Sequence, residues 1–191
     1  MKKLIYILML TCLAACSKPP ITVEEKADET VILSPIDIND ISNYYIVLNG
    51  KKFPVGSGVQ SILDAGFTSL EQDGLVPAQT GDYMSLSYEN EYVGLLRVFN
   101  NKQVEATAKE CDITGFATFS DALITGMNFS TVNGVTFSMS RREIESIFGP
   151  AEDIDEENGE YEVIYYDDEV SKGYSFWFMN DKVEEIQMFF Y

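Results

Sequence analysis

The sequence predicts an α+β protein built from two tandem repeats, each a hairpin, a helix and at least two antiparallel strands, with the helices on one side of the sheet. Three observations predict it. Asn-Gly stands twice between apolar, β-prone runs, at Asn49-Gly50 and Asn133-Gly134, and this dipeptide suits the positive φ angles of a type I′ hairpin turn. A short helical pattern follows each turn, VQSIL and then IESIF, at an offset of 85. Aromatic strands come next: GDYMSLSYENEY aligns with GEYEVIYYDDEV, and VGLLRVFNNKQVEA with GYSFWFMNDKVEEI.

The chain opens MKKLIYILMLTCLAAC. Lys2 and Lys3 make a positive start, and Leu4 to Ala15 are apolar apart from Thr11. So short a run falls below the roughly 20 residues a membrane span needs. A basic start, a short apolar core and small residues before a boundary predict a signal peptide over residues 1–15. Cys12 leaves with it, Cys16 stands at the boundary, and Cys111 is the one cysteine in the body of the protein. Residues 16–43 follow as an acidic flexible tether carrying paired prolines, with a root-mean-square reach of roughly 28 Å. The stretch from Ile32 to Ile41 is apolar enough for its last part to dock on the domain.

The first repeat is placed at 44–125 and the second at 126–191. In the first, Ser57 and Gln60 form a cap pair, Val59, Ile62 and Leu63 are apolar, and Gly66 ends the helix. In the second, Ser140 and Glu143 form a capping box, Ile144, Ile147 and Phe148 share a face, and Gly149-Pro150 stops the helix. Asn100-Asn101-Lys102 and Asn180-Asp181-Lys182 are equivalent polar hairpin tips. EDIDEENGE, residues 152–160, is a solvated acidic loop whose Asn158-Gly159 turns into the Tyr161 strand.

Composition narrows the function. Without the signal, 11 basic and 31 acidic side chains leave a net charge of −20 on 176 residues, which opposes nucleic acid and anionic lipid headgroups. There is no histidine, so the commonest general base and metal ligand is missing. Cys111 has no second body cysteine for a disulfide and is expected as a small buried apolar residue. An EF-hand loop counted from Asp153 puts Asn158 where glycine is required and Ile164 where a bidentate acid is required. SGVQS lacks the glycine spacing of a nucleophile elbow. No cofactor and no catalysis are expected.

Period-two alternation separates the sheet faces. Tyr174, Phe176 and Phe178 point to one side with their aligned partners Leu96 and Val98, which makes that side the core. Ser175, Trp177 and Met179 point to the other with Leu95, Arg97 and Phe99. By alignment Leu86, Tyr88, Ile164 and Tyr166 go inward, while Tyr83, Tyr161 and Tyr165 go outward, where Gln187, Phe189 and Tyr191 join them. Trp, Tyr and Arg are the residue types enriched at interface hot spots. The candidate partner-binding set is therefore Trp177, Tyr161, Tyr165, Tyr83 and Arg97. The alternative is that this face packs against the tether or the other half and its aromatics are core.

Leu13-Ala14-Ala15-Cys16 resembles the bacterial lipoprotein lipobox. The resemblance implies cleavage after Ala15, a diacylglyceryl group on the Cys16 sulfur, and anchoring on the extracytoplasmic side: the outer membrane in a Gram-negative cell, the cell membrane in a Gram-positive one. Two acyl chains make a stable anchor. From about residue 48 to 191, the helix ending Ile147-Phe148-Gly149-Pro150 and the strand Tyr174 to Met179 running into Asn180-Asp181-Lys182-Val183 resemble a family of tandem-repeat envelope lipoproteins. Their unit is similar to the small lipoprotein subunit of the β-barrel assembly machinery and to the secreted β-lactamase inhibitor protein. The resemblance implies non-catalytic binding of another envelope or extracellular protein through a sheet face. Stacking of sugars on the same aromatics is the alternative.

Overall fold

Asn49 and Gly50 adopt φ of 49° and 76° and close the hairpin of β1 (Tyr45–Leu48) and β2 (Lys51–Pro54). These belong to a computed structural model that describes residues 35–122, 126–137, 139–157 and 160–191. The signal peptide, Cys16, residues 17 to 34 of the tether and Asn158-Gly159 lie outside the described residues.

Short elements follow: α1 (Gln60–Leu63) and β3 (Leu75–Val76). The long hairpin of β4 (Gly81–Tyr88) and β5 (Glu91–Phe99) comes next, then β6 (Ala106–Thr107), β7 (Asp112–Phe119) and β8 (Phe129–Ser130). The chain continues through α2 (Arg141–Phe148), β9 (Asp153–Glu157), β10 (Glu160–Tyr166), β11 (Lys172–Met179) and β12 (Lys182–Phe190). Seven strands form one antiparallel sheet in the order β4-β5-β7-β12-β11-β10-β9. A three-stranded sheet, β2-β1-β8, and the pair β3-β6 complete the layers.

This architecture is mostly β and overturns the expected α+β repeats with a helical layer. Among the described residues there are two α-helices, of four and eight residues. The first stays short because its expected cap is spent elsewhere. The Ser57 hydroxyl donates to the Pro54 carbonyl at 2.6 Å, Gly58 bridges Asp112 in β fashion, and Val59 at the N-cap offers no oxygen. The second helix has its capping box: the Glu143 carboxylate accepts both the Ser140 N–H and hydroxyl at 2.7 Å, and Ile144 and Ile147 are buried. One helix of two turns cannot cover seven strands. The inner sheet face, the three-stranded sheet and α2 share one hydrophobic core instead.

Three further expectations are corrected. Asn133-Gly134 closes no hairpin; it sits in a 3-10 turn, Val132–Gly134, and β8 pairs with β1 instead. Asn100 is no hairpin tip but fully buried, its amide donating to the carbonyls of Val76, Pro77 and Val104 at 2.9, 3.2 and 2.9 Å. Part of the acidic loop is a strand, β9, at the sheet edge. The end of the tether does dock: Ile36 and Ile38 pack on the core, and the Ile36 N–H donates to the Ile147 carbonyl at 2.8 Å. The described residues fall within one compact unit, and the seven-stranded sheet takes strands from both sides of residue 125. Among the described residues, no helix is long and apolar enough to cross a membrane.

Candidate protein-binding face

The sheet register decides which side chains meet. Trp177 on β11 lies opposite Glu162 on β10 and Glu185 on β12, and Glu185 lies opposite Phe119 on β7. Asp155 on β9 continues the row beyond Glu162. Directly opposed residues share a face, their Cβ atoms about 5 Å apart, so these five form one line across the outer side. Trp177 is half-buried and stands outside the core cluster. Together with Phe119, Met179, Ser120, Asp121, Glu184 and Glu185 it lines a shallow depression of 430 Å³. Phe119 and Met179 are 42% and 41% exposed, so apolar surface there remains in contact with water.

The acids around Trp177 are held by neutral donors. The Ser175 hydroxyl donates to Glu162, the Ser120 hydroxyl to Glu184, and the Gln187 amide to Glu185 at 2.6 Å. Burial pushes the Glu185 carboxyl above the usual carboxylate range; the Gln187 hydrogen bond opposes this and the Glu162 charge adds to it. Burial, and then the Glu185 charge, likewise raise the Tyr92 phenol nearby. The ion pairs among the described residues join Lys102 to Glu110, Lys109 to Asp73, Arg141 to Glu145 and Lys172 to Asp167. None of them reaches this face.

The expected partner-binding residues separate into three groups. Trp177 lies in the row just described. Tyr83 and Arg97 also face outward, opposite one another on β4 and β5. Three strand spacings and four residues along the strands put Arg97 roughly 20 Å from Trp177. The Arg97 guanidinium is already engaged, donating to the Phe190 carbonyl at 3.1 Å and lying 4.2 Å from the Tyr191 ring centroid. Phe189, tilted against Tyr191 at 5.5 Å, lies over Gly173, where an added Cβ would stand 2.5 Å from its Cζ. Arg97, Tyr191 and Phe189 thus pave their own part of the sheet.

Tyr161 and Tyr165 do not face outward, and this corrects their expected place. They sit on the core side with Val163, opposite Phe178 and Tyr174. Tyr165 is 3% exposed and stacked on Phe148 at 4.7 Å; burial pushes its phenol up strongly. Tyr161 stacks on Phe178 at 4.9 Å and donates to Asp181 at 2.9 Å. Burial first, and then this bond, push its phenol up to about 12. Ile164 and Tyr166, expected inside, are the residues that turn outward.

The sequence reading missed Glu162, Glu185 and Phe119. Counting from the Asn180-Asp181 tip, Met179 pairs with Lys182 and Phe178 with Val183, which would set Trp177 opposite Glu184. A bulge between Trp177 and Phe178 sets it opposite Glu185 instead. Among the described residues no group of three His, Cys, Asp or Glu side chains is placed to hold a metal ion. In comparisons with known proteins the chain matches no family model, no curated protein and no solved structure.

Proposed function

We propose that this chain is a lipid-anchored envelope protein, attached through Cys16, that binds another envelope or extracellular protein through the outer sheet face around Trp177 and carries out no catalysis of its own. The observation that carries the proposal is the depression at Trp177, where an indole outside the core adjoins exposed Phe119 and Met179. A half-buried tryptophan rimmed by apolar and polar groups is what a protein-interface anchor needs. Ile36 bonds Ile147 on the core side, the side away from Trp177.

The test uses the full-length protein with a photo-crosslinking amino acid at position 119 or 179 in living cells, and with Trp177→Asp in the same background. A crosslinked envelope protein that disappears with Trp177→Asp supports the proposal; crosslinks unaffected by it overturn it. Cys16→Ser should move the protein from the membrane to the soluble fraction, and retention in the membrane would overturn the anchor. Glycan binding is the second reading, since a tryptophan flanked by carboxylates also suits stacking and hydrogen bonding to a sugar. Loss of the crosslink on adding soluble cell-wall sugars would favour it.

A further inference from the structure

We infer that the partner presents a basic segment and that one of its arginine or lysine side chains lies on Trp177 between Glu162 and Glu185; this rests on the protein-binding reading above. Trp177 has a carboxylate on each neighbouring strand, both on its own face, and Glu184 and Asp121 stand on the rim of the same depression. Tryptophan is the most favourable ring for a cation, and the attraction grows when the cation is desolvated.

The ion pairs described above include none of Glu162, Glu184 and Glu185. Serine and glutamine donors satisfy hydrogen bonds of Glu162, Glu184 and Glu185 without neutralising them. Of the cations on this face, Arg97 is committed to Phe190 and Tyr191, and Lys182, opposite Met179 at the hairpin tip, is itself engaged. Like charges gathered on one face beside apolar surface destabilise the free protein, and a cation seated between them relieves that repulsion. Burial of Glu185 with Glu162 nearby already disfavours its ionised form. A guanidinium would meet the carboxylates through charge-assisted hydrogen bonds and the indole through its face. The mature net charge of −20 draws basic partners from a distance and repels acidic ones. A sugar gains nothing from that field, and an anionic lipid surface is opposed by it.

The test titrates the full chain with a nine-residue Arg-Gly peptide and with the same peptide carrying citrulline in place of arginine. The readout is the emission of Trp177, the protein's one tryptophan. The variants are the pair Glu162→Gln and Glu185→Gln, and, as a control of equal charge change, Asp168→Asn with Glu169→Gln on an exposed turn. The arginine peptide should shift or quench Trp177, less so as salt rises, and the Glu162→Gln/Glu185→Gln pair should weaken it by about tenfold or more. The control pair should bind like the wild type, and citrulline should give no response. Equal binding by citrulline, unchanged affinity in the Glu162→Gln/Glu185→Gln pair, or no response at millimolar arginine peptide would overturn the inference. A cellular crosslink lost with Trp177→Asp but kept in the glutamine pair would overturn the cation alone and leave the protein-binding reading standing.

Discussion

Asp167→Asn tests how the far end of the sheet is held. Asp167 is 3% exposed and opens the β10–β11 turn. Its carboxylate accepts from the Ser171 N–H and hydroxyl at 2.7 and 2.8 Å, and from the Lys172 N–H and ammonium at 3.1 and 2.7 Å. The Lys172 side chain is 14% exposed. Removing one member of a buried pair costs about 3–5 kcal/mol. Water reaches Lys172 in part, so the expected loss is at the low end, about 3 kcal/mol. With a urea m-value near 2 kcal/mol/M that lowers the unfolding midpoint by roughly 1.5 M, followed by Trp177 emission. The pH dependence has a definite sign. Burial would raise the Asp167 carboxyl, but the bonds from Lys172 and Ser171 outweigh it and hold it well below the usual carboxylate range. A depressed folded pKa stabilises above the unfolded value, about 3.9, and the benefit is lost as pH falls toward the folded one. The gap between wild type and Asp167→Asn should therefore be full at pH 7 and narrow below about pH 4. A gap under about 1 kcal/mol at pH 7, or one unchanged at pH 3, would refute this account.

Gly173→Ala places a methyl against the Tyr165 carbonyl and 2.5 Å from Phe189 Cζ, and should cost about 1–3 kcal/mol; a loss below about 0.5 kcal/mol in urea titration contradicts the paved face. Tyr165→Phe should be neutral or stabilising by up to about 1 kcal/mol, because the buried hydroxyl has no hydrogen-bond partner among the described residues. A loss above about 2 kcal/mol would show that the hydroxyl is satisfied. Cys111 is 2% exposed and burial pushes its thiol up, so in a chain with Cys12 and Cys16 replaced by serine it should react with a disulfide reagent roughly 100-fold more slowly folded than in urea. Equal rates would contradict its burial.

How much of this the sequence made legible depended on whether a signal was local. The β1–β2 turn, the Ser140–Glu143 cap and the faces of β5 and β11 follow from dipeptide chemistry and alternation, and they stand in the structure. Properties that need a partner strand did not follow. Asn133-Gly134 has the same turn chemistry as Asn49-Gly50, but β8 finds its partner in β1, which no local signal encodes. On β10, alternation sets Glu160 and Glu162 against Tyr161, Val163 and Tyr165, which agrees with the structure. Transferring faces by alignment from β4 inverted it. Bulges at Leu86/Ser87 and Trp177/Phe178 shift the β4–β5 and β11–β12 registers, so residue counting alone misplaces the acids around Trp177. The helical layer failed because Ser57 bonds backward to Pro54 rather than forward into a helix.

Quenching of Trp177 emission by neutral, anionic and cationic quenchers tests most directly whether the tryptophan is open and flanked by acids. Trp177 should be quenched by acrylamide and by caesium, and much less by iodide, with the difference shrinking in the Glu162→Gln/Glu185→Gln pair. A blue-shifted emission that none of the three quenches would mean that the indole is core and that the outer face is no binding site.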